Sequence, residues 1–166
     1  MIEVLKEKYP IEYKLIEKYA ADILESDGML IEKSINHHDI FTTFAHSVHV
    51  TVVSLRIVNI MKLKVDLSSL IRGSLLHDYF LYDWTNADKS HRLHAFFHSR
   101  KAYNNARLDF DLNKIEADII LKHMFPVTPI PPKFKESWIV GYADTLCTVK
   151  ELQISLSLKL AKKARA

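Results

Sequence analysis

Glycine is scarce in this chain, three in 166 residues, and four of the five prolines crowd into Pro126-Val127-Thr128-Pro129-Ile130-Pro131-Pro132. With so few breakers elsewhere, helix-length segments can run uninterrupted, which favours an all-α fold. Cys147 is the single cysteine, so an intrachain disulfide is excluded. The N-terminus Met1-Ile2-Glu3-Val4-Leu5-Lys6 lacks the basic-then-apolar layout of a secretory signal, and both features point to the cytoplasm. Long apolar runs are missing too: none reaches the roughly 18 uncharged residues of a membrane span, so no membrane partner is expected.

The net charge of +3 is misleading, because Lys159, Lys162, Lys163 and Arg165 near the C-terminus carry four positive charges with no acid among them. Without that tail the body is close to neutral. A basic helix end of this kind complements the helix dipole more readily than it holds a phosphate backbone, so nucleic acid is not the expected partner. At 48% apolar residues the chain has the composition of one globular domain, able to bury about two thirds of the surface its unfolded form exposes. We take 1–166 as that single domain, with a core over about 40–150 and with an N-terminal helix (1–25) and a basic C-terminal helix end (151–166) packed on it or extending from it.

Apolar spacing predicts about six or more helices. Ile11, Leu15 or Ile16, Tyr19 and Ile23 form one stripe, stopped by a turn at Ser26-Asp27-Gly28. The polar loop Asn36-His37-His38-Asp39 precedes Thr42-Thr43, either of which can cap a long helix through His46, Val50, Val53 and Ile57 to about Met61. Asp66 caps a helix over about 67–78. Periodicity resumes near Ser90 and runs to about Phe110, with His91, His94 and His98 along it. Asn113 with Glu116 resembles a capping box opening a helix to about His123. The proline cluster then forces a loop before a last helix over about 134–160.

Chemistry concentrates in a few side chains that are hard to bury. Asp144 is the one strong acid in the apolar stretch between Trp138 and Val149. A carboxylate there needs a cation or several donors, and a metal ion, a Tyr, a His or an Arg would each serve. His46, inside Phe44-Ala45-His46-Ser47-Val48, is either a satisfied core group or a ligand. His77 and Asp78 are adjacent and so point about 100° apart on a helix; they converge on one ion only from a helix end, an arrangement that also lets Asp78 bridge two ions. His98 and His123, the latter following Ile115 and Ile119 at i+4 steps, could reach the far oxygen of Asp78, and His94 is a further candidate. His37, His38, His49 and His91 need no role beyond surface or supporting hydrogen bonds.

The ordered set His46, His77-Asp78 and Asp144 resembles the signature of the HD-domain metal-dependent phosphohydrolases, over about 40–150. His46 stands in His46-Ser47-Val48-His49-Val50, the pair follows Arg72-Gly73-Ser74-Leu75-Leu76, and Asp144 stands in Tyr142-Ala143-Asp144-Thr145-Leu146. Members that use two ions add histidines between the pair and the last Asp, as His98 and His123 do here. The resemblance implies a helical HD-type domain and a site for divalent transition metal, two ions of Mn, Fe, Co, Ni or Zn. It also implies hydrolysis of a nucleotide or other small phosphoester. His46, His77, Asp78 and Asp144 would hold one ion, and Asp78, His98 and His123 the other.

This chain reads His77-Asp78-Tyr79-Phe80-Leu81 where many hydrolytic relatives read His-Asp-Ile-Gly-Lys. It also lacks the Gly-Tyr-Pro segment of relatives that cleave cyclic-di-GMP. Cations for a phosphate must then come from elsewhere. Lys89 and Arg92 are the candidates placed beside Asp78 in catalysis, with Arg100 and Lys122 also near the ligands in sequence. Arg72 is expected to be structural. Tyr79, Tyr82 and Trp84 could wall a base or belong to the core. A binding module that uses its metal structurally, with little turnover, is the alternative to an enzyme.

Overall fold

The computed structural model describes residues 2–37, 41–82 and 94–163. Among them are eight helices, α1 (Ile2–Lys8), α2 (Pro10–Leu24), α3 (Asp27–Glu32), α4 (Thr43–Ile60), α5 (Leu67–Leu76), α6 (His94–Asp109), α7 (Lys114–Lys122) and α8 (Lys135–Lys163). A two-residue antiparallel ladder, β1 (Asn36–His37) with β2 (Phe41–Thr42), closes the loop before α4. The fold is all-α. No helix of the described residues is long and apolar enough to cross a membrane.

Three start signals read from the sequence operate as expected. The Thr42 side chain accepts from the Ala45 amide, Asp66 accepts from Ser69, and Asn113 and Glu116 form a complete capping box. The N-terminal third departs from expectation. Pro10, suited to a first helical turn because it has no amide hydrogen to leave unpaired, opens α2 and separates it from α1. The expected stop is there, since α2 ends at Leu24 and the chain turns at Glu25 and Ser26, but Asp27 and Gly28 are not part of the turn: the Ser26 side chain accepts from the Met29 amide and starts α3. Ile11 is 74% exposed, and the stripe that packs is Tyr13, Ile16, Ala20 and Ile23.

The core is continuous from α2 through α4, α5, α7 and α8. Ile16, Ile23, Val48, Val52, Leu70, Ile71, Leu75, Ile119 and Val140 are all fully buried within it. Truncating Leu75 or Ile119 to Ala would cost about 2–5 kcal/mol. α4 is buried on nearly all sides, so it can carry a histidine into the interior.

Polar ties fix how the helices meet. Arg72 on α5 donates to both oxygens of Asp22 at 2.7 and 2.9 Å and lies 3.3 Å from Glu116 on α7, the structural role expected of it. Asp118 accepts from the amides of Lys133 and Phe134 and from the Ser137 hydroxyl, while Glu136 accepts from the Asp66 amide. The start of α8 is thereby pinned to α7 and α5, and Asp144 lies two turns further along it.

Candidate metal centre

The site begins where α5 stops. His77 follows the last helical residue with φ −60° and ψ −33°, and Asp78 lies in the turn beyond. Adjacent residues can therefore point into one space. α7 comes close because Gly73 has no side chain: a Cβ there would meet Ile119 Cδ1 at 2.5 Å and Glu116 Cα at 3.3 Å. One turn on from each contact stand His77 and His123, whose rings meet edge to face at 4.9 Å.

Each of these rings is held by its own helix. His77 Nδ1 donates to the Ser74 carbonyl at 2.7 Å, and His123 Nδ1 donates to the Ile120 carbonyl at 2.9 Å. A carbonyl only accepts, so Nδ1 carries a proton in both, and the Nε2 atoms face the interior. His77 Nε2 is buried and has no hydrogen bond. In metal sites the same kind of hydrogen bond fixes the tautomer of a ligating histidine.

His46, on α4, faces α8. Its Nε2 is 3.1 Å from Asp144 Oδ1, and its Nδ1 is 3.0 Å from Glu151 Oε2, an acid two turns further along α8. His77 Nε2 is 3.9 Å from the same Asp144 oxygen. On the other side, His98 and His123 bring their Nε2 atoms to 2.8 Å.

Asp78 lies between the two sides and divides its oxygens. Oδ2 is 3.5 Å from His77 Nε2 and 3.9 Å from His46 Nε2, whereas Oδ1 is 3.4 Å from His98 and 3.6 Å from His123. Atoms bound at about 2.1 Å to one tetrahedral ion stand about 3.4 Å from each other, so these spacings suit shared ions. His46, His77 and Asp144 form one triad that could hold a metal ion, and Asp78, His98 and His123 form a second.

The two sides differ in proton affinity. Burial acts to lower His46, but hydrogen bonds to Asp144 and Glu151 outweigh it and raise the imidazole to about 10. Burial acts to raise Asp144, but His46 and the neighbouring histidines bring it down to about 2. His123 moves the opposite way: burial first, then the charges of His77 and His98, depress it to about 3. Asp78 would be raised by burial, yet the four surrounding histidines hold it well below the usual carboxylate range.

The structure therefore brings together His46, His77, Asp78, His98, His123 and Asp144. Lys89, Arg92 and His91 lie outside the described residues, as does Trp84, and nothing of the His94 side chain is described. Arg100 is exposed and Lys122 half-buried. Tyr79 is not a wall of the site. It is fully buried, and its hydroxyl donates to Asp109 at 2.9 Å. Tyr82 is half-buried and packs on Phe80 at 5.1 Å.

Two acids escaped the sequence reading. Glu151 continues the buried row Val140, Ala143, Cys147, Glu151 and Ser155, so helical spacing alone could have flagged it. Its other oxygen is 3.5 Å from His49 Nδ1, which gives His49 the supporting place expected for it. Glu32 is the second, buried at the end of α3.

Comparison with protein-family models, curated proteins and solved structures finds no match. The donor set speaks for itself: imidazoles oriented by backbone carbonyls, a buried Nε2 without a hydrogen bond, and one carboxylate between two nests. Mixed nitrogen and oxygen donors suit a divalent transition metal.

Proposed function

We propose that the chain is a metal-dependent phosphohydrolase acting on a nucleotide or another small phosphoester, built as a single HD-type domain over 1–166 with its core at about 40–150. The observation that carries this reading is the division of Asp78, with Oδ2 toward His46 and His77 and Oδ1 toward His98 and His123. Such a carboxylate is what a pair of ions needs as a bridge. His46, His77, Asp78 and Asp144 would hold one ion, and Asp78, His98 and His123 the other.

Divalent ions in such a pair lower the pKa of a water and neutralise charge on phosphate oxygens. The chain's own part is to orient the donors and exclude bulk water. Ser74 and Ile120 fix the tautomers of His77 and His123 through their carbonyls, and Glu151 holds His46. Lys89 and Arg92 are proposed as the cations that clamp the phosphate. A cavity of about 230 Å³ lined by Lys122, His123, Phe125, Trp138 and Tyr142 gives an organic group of the substrate a place beside the ligands.

One observation favours a second reading. Phe80 and Leu81, where hydrolytic relatives place Gly and Lys, are buried and half-buried and offer no charge to a phosphate. On that reading the chain is an HD-type module that binds a nucleotide or partner around a structural metal, with little turnover. The deciding experiment is metal quantification on protein purified with and without oxygen, followed by a panel of mono-, di- and cyclic nucleotides with Mn²⁺ added. Release of phosphate or ester cleavage by the metal-loaded chain supports the enzyme. Full metal occupancy without turnover on any phosphoester establishes the module.

A further inference from the structure

Glu32 is fully buried, and neither carboxyl oxygen has a hydrogen-bond partner among the described residues. A buried polar group without a partner is costly, and a buried acid more so, so its retention calls for a partner that the described residues do not supply. Its position says where that partner lies. α3 packs on Tyr79 so tightly that a Cβ at Gly28 would fall 1.5 Å from the tyrosine hydroxyl oxygen. Glu32 is four residues beyond Gly28, on the same face of the helix, and Tyr79 is the residue after Asp78. The face carrying Glu32 is thus turned toward the end of α5.

The charges that act on Glu32 agree with this placement. After burial, Asp78 pushes its carboxyl well above the usual carboxylate range, and His46 opposes the shift. Both are members of the cage. Glu32 belongs to neither triad of converging donor atoms, so it stands too far back to be one of their ligands.

We propose that Glu32 is a positioning residue of the metal centre, its carboxyl group hydrogen-bonded to water held between α3 and the His46 and Asp78 side of the cage. The inference rests on the metal-dependent reading above. It assigns to α3, outside the histidine and aspartate signature, the task of ordering the solvent that a divalent ion carries into the site. Groups that hydrogen-bond to what a metal binds commonly change its affinity by about 10–100-fold when removed.

The test uses the full chain with Mn²⁺ alone as probe, comparing the parent with Glu32→Gln and Glu32→Leu. Mn²⁺ affinity is read by electron paramagnetic resonance of the free ion, bound-ion hydration by water proton relaxation, and folding by the thermal midpoint in chelator. Both variants should melt in chelator no lower than the parent, since they remove an unpartnered buried acid. They should bind Mn²⁺ about tenfold or more weakly, with altered proton relaxation. Affinities within about threefold of the parent in both variants overturn the proposal while leaving the proposed function standing. Failure of both variants to fold also overturns it, because Glu32 would then be a structural group. A parent chain that takes up no Mn²⁺ removes this proposal and the phosphohydrolase reading together.

Discussion

The two nests around Asp78 are built from similar parts and tuned in opposite directions. The His46 nest is rich in acid: Asp144 and Glu151 grip one imidazole from both sides and raise it to about 10, so a proton already occupies the place a cation would take. The His98 and His123 nest is rich in imidazole, and His123, depressed to about 3, stays neutral and ready to ligate. The contrast teaches that burial does not decide protonation here. Both histidines lose water to a similar degree, and what differs is the sign of the neighbours.

The largest expected effect breaks the comparison altogether. Asp78→Ala removes the one carboxylate that faces both nests, and metal analysis should find both ions lost together with any phosphodiesterase or phosphatase activity. His123→Ala should separate the two sides, leaving about one ion per chain and turnover reduced by about 100-fold or more. One ion per chain in both the parent and this variant would defeat the two-ion assignment.

Glu151→Gln sharpens the contrast, because it touches the acid-rich nest alone. Metal affinity there should fall by about 10–100-fold while the other nest keeps its ion, as a stepwise metal titration would read.

The protonation difference also has a pH signature. His46 is raised from its ordinary 6.5 to about 10, so in a metal-free chain its contribution to stability is complete below pH 6.5 and is lost as pH rises through about 10. Asp144, lowered from 3.8 to about 2, contributes above pH 3.8 and loses that contribution as pH falls through about 2. Denaturant midpoints in chelator should decline from pH 6.5 to 10, and a flat profile would contradict the assignment. Metal binding at neutral pH should release a proton from His46, seen by calorimetry in buffers of different ionisation enthalpy. The smallest effect is expected at the rim: His49→Ala should keep both ions, and loss of either would show that the ligand set is wrong.

Much of this arrangement was legible in the chain because caps and spacing are local. Thr42, Asp66 and Asn113 start their helices where side-chain oxygens reach free amides, and that chemistry needs no knowledge of the rest of the fold. The six ligand candidates stood out because an ionisable group in an apolar stretch requires a partner. Ser26-Asp27-Gly28 was legible as a stop but not as a helix start, because the same residues suit both, and the packing of Gly28 on Tyr79 is what α3 adds. Ile11 sits on the wrong side of α2 because the packing stripe starts at Tyr13. Glu32 carries no local mark, since its burial depends on where α3 lands against α4 and Tyr79.

Because a single carboxylate serves both nests, occupancy of one side cannot be independent of the other. A cation seated against Oδ2 fixes the plane of Asp78 and with it the direction of Oδ1, and whatever this does to the affinity of the second cation, the second must do in equal measure to the first. The centre would thus titrate as a coupled pair, the filling of one side shifting the affinity of the other.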